Sequence, residues 1–270
     1  MTETIHIFDE FLEEELTTEK RHQKRMKIEP LIFDILKQKY GKQLRENWLK
    51  NPPPKDSTKC ILIIERRIHE NLEFVFHNAV QFGKGWSICF VCSDVNWKYC
   101  KEITQNHPNI HFIPLFRGSP SYSEAREEYT RLLVNANFYK GLPWETILIM
   151  QTDSYLRKQI PESVLQYDYI AAPALWDQNE MVGGLSFRSK QGMIKITEEF
   201  HEEIPSEDLF ISRGCNVLGL RKPTFEDAMT YCTESCLYED PVGVHQWWTF
   251  FFPNLEDKEI IFHSLLTFDI

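Results

Sequence analysis

Four apolar runs, Cys60 to Ile64, Ser87 to Cys92, Ile110 to Leu115 and Thr146 to Met150, recur along the first half of the chain, with helix-like stretches between them. The spacing predicts helices from Glu70 to Phe82 and around Trp97 to Ile103. A longer helix opens at Ser121, with Glu124 three residues on as a capping box, and is expected to reach about Tyr139. Short, fully apolar strands alternating with helices are the mark of a largely parallel sheet covered on both faces. The pattern therefore predicts a Rossmann-type α/β unit with a mixed, mostly parallel sheet and flanking helices.

The ends of the chain read differently. From Ile5 to Lys50 the sequence is charged, and Ile32, Ile35, Leu36 and Tyr40 fall on one helical face. Pro52, Pro53 and Pro54 lack three backbone donors and favour extended chain, which stops such a helix. The boundary is placed there, giving an N-terminal helical extension and proline hinge over 1–54 and the main domain over 55–270. Beyond Met150 the pattern is less regular: a strand from Tyr169 to Ala172, the pair Gly183-Gly184 before an alternating strand, a helix from Gln191 to Glu202, and an aromatic run from Trp247 to Phe252. No internal repeat is present.

Composition narrows the function classes. With 270 residues, 42% of them hydrophobic, the chain can bury one large core. A formal charge of -10 argues against a phosphate-backbone footprint, so no nucleic-acid partner is expected. No apolar stretch is long enough to span a bilayer, and Met1 does not open a basic, then apolar leader; a cytoplasmic protein is expected. The seven cysteines show no paired metal spacing. Cys89 and Cys92 lie in one strand-like run, which sends them to opposite faces as core thiols.

In open α/β sheets ligands sit beyond the carboxyl ends of the strands, where Glu65, Asp94 and Asp153 all fall. No glycine stands between the first run and Gly83, so neither a dinucleotide fingerprint nor a P-loop is present. A nucleotide would have to be held by side chains. Glu65 and Arg66 suit a ribose or base and a phosphate, or else form a surface ion cluster. Asp153, directly after four apolar residues, needs a cation, good donors or a turn to cap, with Ser154 beside it. A divalent cation bridging diphosphate oxygens, Mn²⁺ or Mg²⁺, is one partner. Glu207 and Asp208 stand at an apparent helix start, where acids also serve as caps. His245 follows a glycine turn, and Trp176, Trp247 and Trp248 suit a sugar face or the core.

In their order these elements resemble the GT-A glycosyltransferases. The combination of IIERR (63–67), ILIMQTDS (147–154), YDYIAAP (167–173), GGLSFRS (183–189), SEDLF (206–210) and PVGVHQWW (241–248) is similar to a little-characterised glycosyltransferase-like domain family found in bacteria, algae, fungi and large DNA viruses. The resemblance runs from about Lys59 to Trp248. It implies that Asp153 is the second acid of a D-x-D motif and that His245 is the C-terminal metal ligand. It also implies Asp208 as general base, with Glu207 orienting the acceptor, and Gly183 and Gly184 near the sugar; Trp247 is a candidate sugar or acceptor contact from its residue type alone. Gln151 stands where the first acid of D-x-D usually does, and Val182 replaces an expected polar residue.

The implied activity is metal-dependent transfer of a sugar from a nucleotide-sugar, a UDP-sugar foremost, to a hydroxyl of a saccharide or glycoprotein acceptor, inverting if displacement is direct. Two alternatives stay open: a catalytically inactive nucleotide-sugar-binding module and a metal-dependent phosphoesterase. The extension offers a surface for a homodimer or a cover for the sheet.

Overall fold

The computed structural model describes residues 5–11, 17–203, 206–252 and 256–270; residues 1–4 and 12–16 of the expected extension lie outside them. The extension is chiefly one long helix, α1 (Thr18–Lys50), capped by the Thr17 hydroxyl, which accepts from the Lys20 amide at 3.2 Å. It ends just before the three prolines. Its Ile28, Ile32, Phe33, Leu36, Tyr40, Leu44 and Trp48 are buried, while Ile35 is only partly so.

The main sheet is built from β1 (Lys59–Ile64), β2 (Ser87–Ser93), β3 (Ile110–Phe116), β4 (Thr146–Met150), β6 (Tyr169–Pro173) and β7 (Met181–Ser189), in the order β3-β2-β1-β4-β7-β6. β1 runs parallel to β2 and β4, β2 is parallel to β3, and β7 is antiparallel to both its neighbours. This is the mixed, mostly parallel α/β sheet that the apolar runs predict. A second, three-stranded sheet joins β5 (Ser154–Leu156), β8 (Cys232–Thr233) and β9 (Gly243–His245) in the order β5-β9-β8.

Alternation along each strand divides the core in two. Ile61, Ile63, Phe90, Cys92 and Leu148 face the cluster shared with α1, α2 (Leu72–Phe82) and the C-terminal aromatics. Leu62, Cys89, Val91 and Ile149 face the other cluster, with Tyr139, Met193, Ile196 and Ile211. Cys89 and Cys92 thus part as expected, and all seven cysteines are free.

Past α3 (Trp97–Ile103), the capping box forms at Ser121 and Glu124. The expected single helix to Tyr139 is in fact two, α4 (Tyr122–Leu133) and α5 (Ala136–Gly141). The reason is local: the Asn135 side chain accepts from the Asn137 amide at 2.9 Å and starts a new helix. α6 (Lys190–Glu199), α7 (Glu207–Val217), α8 (Phe225–Tyr231) and α9 (Lys258–Leu265) complete the fold. Among the described residues no helix is long and apolar enough to cross a membrane.

Candidate functional site

Strand order reverses at β1: β2 and β3 lie on one side of it and β4 on the other. The carboxyl ends of β1 and β4 therefore flank the switch point, where open α/β sheets form a ligand crevice. Glu65 to Arg67 follow β1 there, and Gln151 to Asp153 follow β4.

Asp153 is 2% exposed. The register of the small sheet sets its surroundings. Ser154 of β5 stands opposite His245 of β9, and β8 lies on the far side of β9 with Glu234 just past its end. Asp153 Oδ1 lies 3.2 Å from His245 Nε2, and His245 Nδ1 lies 2.8 Å from Glu234 Oε2. The Gly184 amide is 3.0 Å from the same Nδ1. The carboxylate is the nearer, which favours the ring proton on Nδ1 facing Glu234. On the other side, Asp153 Oδ2 accepts from Arg25 Nη2 of α1 at 2.6 Å.

Burial opposes charge on both groups and their neighbours favour it, so without a cation the ring is protonated at both nitrogens, and a metal on Nε2 would take the place of that proton. His245 is raised to about 10, because Glu234 and Asp153 outweigh desolvation. The Asp153 carboxyl is held well below the usual range by His245 and Arg25.

Asp153 Oδ1 makes no hydrogen bond among the described residues although it is buried, so its approach to His245 Nε2 is off the line of a ring N–H. Two ligands at right angles on a cation with bonds of about 2.1 Å stand about 3 Å apart, which suits this pair. A carboxylate on the second imidazole nitrogen is also the usual partner of a metal-bound histidine. Among the described residues, no group of three or more His, Cys, Asp or Glu forms a metal-holding cluster. Asp153 and His245 are the two residues of this group that could serve as ligands to a cation. Gln246 Nε2 lies 2.7 Å from His245 Nε2 and screens it.

The glycine pair lies inside β7. Between Ile170 and Ala172 of β6 the partner residue jumps from Phe187 to Val182, so 183–186 leave β6 while Leu185 and Ser186 stay paired with β4. Gly183 has φ +115, and a Cβ there would overlap the Glu234 carboxylate; one on Gly184 would overlap the Gln151 amide. The glycines let β7 pass directly under His245 and Gln151. Gln151 Nε2 donates to Tyr129 Oη at 2.8 Å.

Asp208 joins this group. Its Oδ2 accepts from the Gly183 amide at 3.3 Å, and its Oδ1 accepts from the Ser206 hydroxyl and the Leu209 amide. Glu207 does not join it. Its carboxylate pairs with fully buried Arg188, at 3.1 and 3.3 Å, and burial pushes it up to about 7 although Arg188 pulls the other way. The acceptor-orienting role expected of Glu207 is therefore corrected to that of a counter-ion in the core.

Three further candidate residues are engaged by contacts within the protein. Arg66 does not present a free guanidinium: it pairs with Glu128 and donates to the Arg117 carbonyl at 2.7 Å, tying down the segment after β3. The Ser154 hydroxyl donates back to the Gln151 carbonyl at 2.6 Å and stabilises the turn. Trp247 is 0% exposed, packs on Trp248, Phe251 and Phe262, and donates to Tyr155 Oη at 2.8 Å, so it offers no face to a sugar. Trp248 is core as well, whereas Trp176 is 58% exposed. Glu65 accepts from the Arg66 and Arg67 amides, the Arg67 guanidinium and the Thr152 hydroxyl, which hold it ionised against burial.

Sequence reasoning missed Arg25, Arg67 and Glu234. Arg25 and Glu234 reach the site only through tertiary contacts, and no local motif announces either. Arg67 stood next to the chosen Arg66, and nothing in a run of two arginines says which one faces outward.

Residues 115–245 match the model of a family described as "Protein of unknown function (DUF5672)". No curated protein matches the chain. Among solved structures, the chain is similar to the apo-form glycosyltransferase GlyE of Streptococcus pneumoniae TIGR4, with 11% identity and a TM-score of 0.45. The alignment covers 78% of this chain and 61% of that one, so less than two thirds of the neighbour's length is matched.

Proposed function

We propose that the chain is a glycosyltransferase that takes a sugar from a nucleotide-sugar, with UDP-sugars as the donor class, and passes it to a hydroxyl of a saccharide or glycoprotein. The observation that carries this reading is the off-line approach of Asp153 Oδ1 to His245 Nε2 at 3.2 Å, at the switch point of the sheet and beside Gly183 and Asp208. Asp153 and His245 would hold Mn²⁺ or Mg²⁺. When bound, the cation supplies Lewis-acid stabilisation of the charge developing on the departing diphosphate.

The chain's own residues divide the remaining work. Glu234 fixes the tautomer of His245 through Nδ1. Gly183 and Gly184 let β7 pack closely against Glu234, His245 and Gln151. Asp208, anchored by Ser206 and the Leu209 amide, is the group to accept the proton of the attacking hydroxyl. Direct displacement would invert the anomeric carbon.

A nucleotide-sugar-binding module without turnover is the second reading, favoured by Gln151 in the first acidic position and by Arg25 on Asp153. Incubation with a panel of nucleotide-sugars, Mn²⁺ and varied acceptors separates the two. Transfer, or slow release of UDP, supports the enzyme. Binding with neither supports the module, and turnover of simple phosphate esters without a nucleotide would replace both with a phosphoesterase.

A further inference from the structure

Two arginines that the proposed chemistry does not use stand at the switch point, and each is aimed by acids. Arg25 of α1 is held by Asp153 at 2.6 Å through Nη2 and by Glu29 at 3.3 Å through Nε. Arg67, after β1, makes a bidentate pair with Glu65, Nε to Oε1 at 2.9 Å and Nη2 to Oε2 at 2.7 Å. In both, Nη1 has no hydrogen-bond partner among the described residues. The side chain of Arg67 is 60% exposed and that of Arg25 is 28% exposed.

A closed set of contacts makes the two neighbours. Consecutive residues Thr152 and Asp153 hold one arm each: Thr152 Oγ1 donates to Glu65 Oε2 at 3.1 Å, while Asp153 accepts from Arg25. On the other side His69, two residues past Arg67, lies 3.9 Å from Glu29, which pairs with Arg25. The two guanidinium groups repel each other and are both attracted to Asp153. Like charges held together at the strand ends, each pinned by one edge with Nη1 unpaired among the described residues, are arranged to receive a shared anion.

We propose that Arg25 and Arg67 form a diphosphate clamp that binds the two phosphoryl groups of a nucleoside diphosphate through their free Nη1 atoms, one group on each arginine. The clamp deepens the glycosyltransferase reading and rests on it for the nucleotide, but its own chemistry requires only a diphosphate. It gives the N-terminal helix a part in ligand binding that the region after β1 alone does not supply. It also means that the anion keeps protein contacts when divalent cations are removed.

Calorimetry with inorganic pyrophosphate and with UDP, each in EDTA and in Mn²⁺, tests the clamp. Wild type should bind pyrophosphate in EDTA, with affinity falling as salt rises. Arg67→Ala, on an exposed side chain, should weaken that binding by about tenfold or more, the scale of a charge-assisted hydrogen bond. Arg25→Lys keeps the charge beside Asp153 and should weaken it by a smaller factor. Unaltered pyrophosphate affinity in Arg67→Ala, no binding by wild type in EDTA, or equal affinity for sulfate would each overturn the clamp. UDP binding no tighter than pyrophosphate would leave the clamp standing and remove the nucleotide reading instead.

Discussion

Arg25 Nη2 lies 2.6 Å from Asp153 Oδ2, joining the N-terminal helix to the end of β4 across 128 positions of sequence. The contact neutralises one edge of a buried carboxylate and leaves Oδ1 to His245. With Arg25 on this edge the buried acid stays ionised, which a metal ligand requires. The helix that reads as an extension therefore supplies a charge to the candidate site as well as apolar cover to the sheet.

Glu207 and Asp208 are adjacent, yet their surroundings assign them different work. Glu207→Gln should leave Arg188 without its counter-ion in the core and lower stability by about 3–5 kcal/mol, read by chemical denaturation. A variant as stable as wild type would return Glu207 to the site.

Asp208→Asn should still fold, because the amide oxygen can take the place of Oδ1 and accept from the Leu209 amide and the Ser206 hydroxyl, losing only the long contact from the Gly183 amide. Transfer should slow by ~10² or more while nucleotide affinity changes little. Steady-state kinetics beside calorimetry make the separation, and full activity in this variant would move the general base elsewhere.

Gly183→Ala places a Cβ against the Glu234 carboxylate at a backbone φ of +115. The left-handed backbone alone should cost about 1–3 kcal/mol. Displacing Glu234 should also loosen His245, so Mn²⁺ affinity should fall together with the melting temperature. Loss of stability with Mn²⁺ affinity intact would detach Glu234 from the metal position.

Asp168 gives a pH dependence away from the site. Burial opposes its charge, but hydrogen bonds from Arg221 and Ser189 hold it down at about 2. Its folded value lies below its ordinary 3.8, so its contribution is present above about pH 4 and lost as pH falls toward 2. Wild type should lose melting temperature more steeply than Asp168→Asn over that range. Parallel curves would remove Asp168 from the acid response.

The sheet was legible because each strand is a short apolar run, and a strand buried on both faces leaves few other readings for Cys60 to Ile64 or Thr146 to Met150. The break at Asn135 was hidden because its side-chain cap competes with a helical pattern that otherwise continues. At the site, Asp153 stands out as a carboxylate directly after an apolar strand and Gly183-Gly184 as a pair before one, whereas Asp208 and His245 are locally ordinary and are singled out only by the resemblance of the ordered motifs. Glu207 and Trp247 could not be sorted from their neighbours, since burial depends on which helix face or turn meets the core. Arg25 was out of reach for the same reason: its partner lies on another element, fixed by the packing of α1 rather than by any motif.

The most direct test is the affinity for UDP with Mn²⁺ and with EDTA, in wild type, Asp153→Asn and His245→Gln. Mn²⁺ should tighten binding by about tenfold or more in wild type. Both variants should lose that gain, because each removes one of the two ligands. Equal affinity with and without Mn²⁺ in wild type, or an undiminished gain in both variants, would contradict a metal held by Asp153 and His245.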